Sequence, residues 1–155
     1  MALATLPLGD LTFVSDDPFC GLEPAGANPA VRSFSLAEQR LYCSKMFRTL
    51  GPRESEAAAL RVGAWLAEGE YGGLIMDYRG AVIEADSAAS AALADAAAAA
   101  FPRGILVGFI GDGESAPYTR LMTTLLRDRG VKAARAADFD SLYAALVRRL
   151  NSPAG

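Results

Sequence analysis

From residue 51 onward the chain alternates short apolar runs with longer helical patterns, and that alternation limits its possible folds more than any other feature. Residues 54–68 carry Ala58, Val62, Trp65 and Leu66 at helical spacing and stop at Gly69. Leu74-Ile75-Met76 is a continuous apolar run closed by Asp77, the pattern of a parallel strand buried on both faces. Asp86 and Ser87 then offer N-cap oxygens to an alanine-rich helix that ends before Pro102. Residues 105–110 read as a second buried strand. Pro117 suits the first turn of a helix running to Arg129, with Leu121, Leu125 and Leu126 inward and Gly130 as its stop. Residues 131–137 predict a weaker edge strand, and Asp138 or Asp140 caps a last helix with Leu142, Ala145, Leu146 and Leu150 on one side. Strands alternating with helices require right-handed crossovers onto one sheet. The predicted class is therefore α/β, with a mostly parallel central sheet of four to five strands and helices packed on it.

The earlier part of the chain is less regular. Leu11-Thr12-Phe13-Val14 has the composition of a short strand, but Pro18, Gly21, Pro24, Gly26 and Pro29 break up the residues after it, so residues 1–34 are read as an irregular N-terminal arm. Two readings compete for residues 36–50. Ser35 and Glu38 stand at capping-box spacing, and Leu36, Cys43, Phe47 and Leu50 share a helical face before Gly51-Pro52. Residues 40–50 are equally rich in Leu, Tyr, Phe and Met, which suits the strand that this fold needs before its first helix. With 155 residues the chain has room for one domain, taken as residues 35–150 with a tail at 151–155.

Composition decides which chemistries are open. Histidine is absent, which rules out a Ser-His-Asp triad, a Cys-His pair, an imidazole metal site and a phosphohistidine relay. The formal net charge of -3 argues against a nucleic-acid partner. No apolar run approaches the length of a membrane span, so no membrane insertion is expected. The first seven residues lack the basic and apolar regions of a secretory signal, and Cys20 and Cys43 lack a CxxC spacing; both thiols are expected to be buried and unreactive, in a cytoplasmic protein.

Ser87 carries the sharpest chemical expectation. A helix N-terminus presents unpaired amides and partial positive charge, so a phosphoryl group there is stabilised while its added charge changes any surface docked against it. The plainer alternative is that Asp86 or Ser87 only caps the helix. In its order of elements, with Gly51 closing a first strand, Asp77 ending the next and Asp86-Ser87 opening the second helix, the chain resembles the STAS domain of sulphate-transporter tails and anti-sigma-factor antagonists. Where that family carries Asp-Ser-Ser-Gly, this chain has Asp86-Ser87-Ala88-Ala89. The resemblance implies a non-catalytic regulatory module with Ser87 as phosphoacceptor and Asp86 and Asp77 as supporting residues. It also implies that the helix carrying Ala88, Ala91, Ala92 and Asp95 docks an anti-sigma-factor or kinase-like protein. An alanine-rich face of this kind also suits a homodimer.

Other readings stay open. The same fold could bind a small apolar or acyl ligand in a pocket under the arm. A receiver-like domain would set Asp16 and Asp17 beside Asp77 to bind Mg²⁺ and form an aspartyl phosphate. That reading lacks a hydroxyl residue at the end of 105–110 and a later Lys-Pro. A carboxylate-based enzyme would draw on Asp77, Glu84 and Asp86. Gly111-Asp112-Gly113-Glu114-Ser115 is read as a turn with Ser115 as cap, since its two acids repel the anion that a phosphate loop holds. No catalytic residue, cofactor or metal is assigned.

Overall fold

The computed structural model describes residues 17–20, 22–23 and 31–151. The strand expected at residues 11–14, Asp16 and most of the arm and tail lie outside the described residues. The elements are β1 (Val31–Leu36), β2 (Leu41–Met46), β3 (Thr49–Leu50), α1 (Pro52–Gly69), β4 (Gly73–Asp77), β5 (Val82–Ile83), α2 (Ser87–Ala100), β6 (Leu106–Ile110), α3 (Ala116–Asp128), β7 (Lys132–Ala136) and α4 (Phe139–Leu150).

The main sheet has the order β1-β2-β4-β6-β7. β1 and β2 form an antiparallel hairpin and every other pairing is parallel. Each crossover moves one place in the same direction, so the right-handed rule sends α1, α2 and α3 to a single face. There Val62, Leu66, Leu93, Ala97, Met122 and Leu126 pack on Tyr42, Met46, Leu74, Met76, Val107 and Phe109. Phe139, Leu142 and Leu146 of α4 cover the other face with Phe19, over Leu41, Cys43, Ile75 and Ile110. The α/β class with a mostly parallel sheet is thus observed. Among the described residues, no helix is long and apolar enough to cross a membrane.

For residues 36–50 the structure shows the strands β2 and β3 in place of a long helix, with one 3-10 turn at Ala37–Gln39 before β2. Leu41 and Cys43 face α4 while Tyr42 and Met46 face α1–α3, so β2 is buried on both sides and shows no amphipathic alternation. Residues 31–34, read as the end of the arm, belong to the edge strand β1. Ser35 does not cap a helix; its hydroxyl meets that of Tyr71. Arg40, at φ 56°, turns the chain from Ala37–Gln39 into β2.

Two helices bury slightly different faces from those expected. α1 turns Ser55, Ala58, Ala59, Val62, Gly63 and Leu66 inward, while Trp65 stays 39% exposed with its ring beside Tyr42. In α3 the inward residues are Ala116, Thr119, Met122, Thr123 and Leu126, and Leu121 is exposed. Cys43 is buried as expected, but Cys20 is exposed.

Candidate functional site

The start of α2 is positioned by a chain of local constraints that begins at Asp77. Alternation along β4 sends Asp77 to the same face as Ile75, where it is fully buried. A buried carboxylate needs charged partners and satisfied oxygens. Lys45 Nζ donates to Oδ2 at 3.1 Å, the Arg79 amide and Nε donate to Oδ1 at 2.9 and 3.0 Å, and Arg79 Nη2 donates to Oδ2 at 3.0 Å. Lys45 also donates to the Arg79 carbonyl at 3.2 Å, which ties the turn down from both sides.

Gly80, at φ 81°, supplies the left-handed residue that reverses the chain. β5 then pairs with β3, and the amides of Val82 and Glu84 donate to the carbonyls of Arg48 and Leu50 at 3.0 and 2.8 Å. Asp86 comes next, in extended conformation, as the N-cap of α2, its Oδ1 accepting from the Ala89 amide at 2.8 Å. Ser87 is the first residue of the helix proper and is exposed. Its side chain takes no part in the cap.

Asp86, Ser87 and Ala88 therefore stand together at one helix start, and Ala92 and Asp95 continue the exposed face while Ala91 is half-buried. Asp95 is not free: Arg129 Nε donates to its Oδ1 at 2.6 Å and ties α2 to the end of α3. Asp77 does not join this group. It lies on the face opposite the α2 layer, and its contacts run to Lys45 and Arg79. The contacts of Asp77 thus leave it apart from Glu84 and Asp86, and the three do not converge as an acid–base set.

Sequence reasoning missed the cations around Asp77. Arg79 Nη2 lies 2.8 Å from Asp17 Oδ2 as well as 3.0 Å from Asp77 Oδ2, so one guanidinium bridges two carboxylates. Burial alone would push Arg79 down, but hydrogen bonds and charge from Asp77, then Asp17, outweigh it and hold the guanidinium above its ordinary value. The two acids that the receiver-like reading brings together share the Arg79 guanidinium. Among the described residues no His, Cys, Asp and Glu cluster is arranged to hold a metal. The signal for this quartet was an opposite charge two residues after Asp77, close enough for the Arg79 amide and guanidinium to fold back onto the carboxylate. Asp138, the N-cap of α4, also feels Arg79; its carboxyl is lowered mainly by hydrogen bonds from the Ser141 amide and hydroxyl.

Other concavities lie elsewhere in the molecule. Between the sheet and α1–α3 is a cavity of about 20 Å³ whose lining includes Met46, Met76, Met122, Ser55, Tyr78 and Tyr118. Ser55 Oγ is buried there without a hydrogen-bond partner, the Tyr78 and Tyr118 rings meet edge to face at 5.2 Å, and burial pushes both phenols up. A groove of about 400 Å³ between α3, β7 and α4 carries Arg127, Lys132, Arg148 and Arg149. Arg127, Arg148 and Arg149 occupy the last turns of their helices, and Arg127 Nε donates to the Ala133 carbonyl on β7 at 2.7 Å. In the Gly111 loop, Ser115 Oγ donates to the Asp112 carbonyl and accepts from the Asp112 amide, both at 3.1 Å, closing a turn as expected.

Comparison with protein-family models, with curated proteins and with solved structures yields no match.

Proposed function

We propose that this chain is a STAS-like regulatory module of the cytoplasm that docks another protein at the start of α2 and is switched by phosphorylation of Ser87. The observation that carries this reading is the division of labour between neighbours: Asp86 performs the capping, which leaves the Ser87 hydroxyl exposed at a helix N-terminus. A phosphoryl group there adds close to two negative charges beside the free amides of the first turn, a favourable place for an anion. Exposed Ala88 and Ala92 give the partner a small-residue surface whose character that charge would change. The order of elements, with β1–β2 as a hairpin and three parallel crossovers, agrees with the resemblance. The partner implied is an anti-sigma-factor-like kinase.

Incubation with the source organism's anti-sigma kinases and ATP, followed by peptide mapping, should place one phosphoryl group on Ser87 and none on Ser87→Ala protein. Modification confined to other residues would remove the switch. A second reading, a domain for a small apolar ligand, draws on the cavity lined by three methionines, which at about 20 Å³ has room for one water and must widen to admit a ligand. That cavity lies under α1–α3 and not under the N-terminal segment, where Phe19 fills the space. Native mass spectrometry of freshly purified protein separates the two: a retained mass favours the ligand, and a clean chain mass favours the docking module.

A further inference from the structure

Residues 17–20 lie on the α4 face of the sheet as a bound peptide would. The segment closes its own turn, with the Cys20 amide donating to the Asp17 carbonyl at 3.1 Å and the Phe19 amide to Asp17 Oδ1 at 2.9 Å. The Phe19 ring is 2% exposed and stands edge-on to Phe34 and Phe139, with centroids 5.1 and 5.9 Å away. Asp17 reaches Arg79 at the rim of this aromatic socket. The described N-terminal residues add no strand to the sheet; side chains tie them down, Arg79 at Asp17 and Arg32 at the Glu23 carbonyl.

We propose that this socket is a peptide-recognition site for segments carrying a carboxylate two residues before an aromatic ring, and that Asp17-Pro18-Phe19 is its occupant in cis. The chemistry of the two subsites defines the partner. The Phe34 and Phe139 rings call for an aromatic side chain, since burial of a ring with edge-to-face neighbours is the dominant favourable contact there. The rim calls for a carboxylate: without Asp17, Lys45 and Arg79 face the single charge of Asp77, with Arg79 left a donor short of a partner. The chain's own segment holds the site at an effective concentration on the order of millimolar, so a competing peptide gains access only when that segment leaves. The socket lies on the face opposite Ser87 and is independent of any modification there.

Full-length protein carrying Asp17→Ala and Phe19→Ala keeps the socket and loses its occupant. A fluorescein-labelled peptide with the sequence of residues 14–22, serine replacing its cysteine, is titrated against this variant and the unaltered chain by fluorescence anisotropy. The peptide should bind the double variant at least tenfold more tightly, and peptides with Asp17→Asn or Phe19→Ala should lose at least tenfold. Equal affinity for both proteins, no binding to the double variant, or indifference to both peptide changes would overturn the proposal. Loss of cooperative unfolding in the double variant would do so too, because the segment would then be part of the core. Hydrogen exchange of the unaltered chain gives an independent check. The Phe19 and Cys20 amides should exchange at least a hundredfold faster than those of β4 and β6, and equal protection would count against an exchangeable segment.

Discussion

Asp86 and Ser87 are adjacent polar residues, yet only one of them holds the helix. Replacing an N-cap acceptor by alanine costs about 1 kcal/mol, whereas an exposed side chain outside the cap changes stability by no more than about 0.5 kcal/mol. Asp86→Ala should therefore lower the urea midpoint measurably while Ser87→Ala leaves it in place, with circular dichroism as the readout. The reverse order would return Ser87 to a capping role and remove it as a switch. At this scale the candidate site was half legible. N-cap chemistry is local, so the carboxylate and hydroxyl before an alanine run identified the helix start. The quartet around Asp77 was not legible, because Lys45 reaches it only through the register that sets β2 against β4 and Asp17 only through the fold of the arm. Asp77 accordingly proved to be the anchor of the turn before β5, not a companion of Ser87.

At the level of elements, the periodic helices after residue 51 were readable because each meets the sheet along one face. Residues 36–50 were not, because β2, covered on both sides, shows no alternation, and the Ser35-to-Glu38 spacing ahead of it imitates a cap. Helix faces were read correctly in their centres and less well at their edges. Trp65 and Leu121 sit at the boundary of the buried stripe, where neighbouring helices decide exposure. The α1–α2 contact illustrates such a neighbour effect. A Cβ built on Gly63 would lie 2.9 Å from both the Cβ and the carbonyl oxygen of Ala100, and backbone cannot move aside as a side chain can. Gly63→Ala gains about 1 kcal/mol of helix propensity but overpacks the contact, which typically costs about 1–3 kcal/mol. The net expectation is a less stable protein, read as a lower urea midpoint; a raised midpoint would mean that the two helices part without cost.

For the molecule as a whole, the two cysteines report on the two-sided burial of the sheet. Cys43 lies on β2 under α4 and Phe19, and burial pushes its thiol up, whereas Cys20 is exposed. One thiol should react with Ellman's reagent in the native protein and two in guanidinium chloride. Two reactive thiols without denaturant would show that the α4 face opens readily. The α/β class was visible from the sequence because the order of apolar runs and helices alone constrains the topology, while the pairing of the arm against α4 depends on contacts between distant parts of the chain. The single direction of the crossovers also bears on how the molecule forms. Within the main sheet, every strand pairs with the main-sheet strand made just before it or just after it, so none must wait for a distant stretch to leave the ribosome. Assembly can advance unit by unit at the pace of translation.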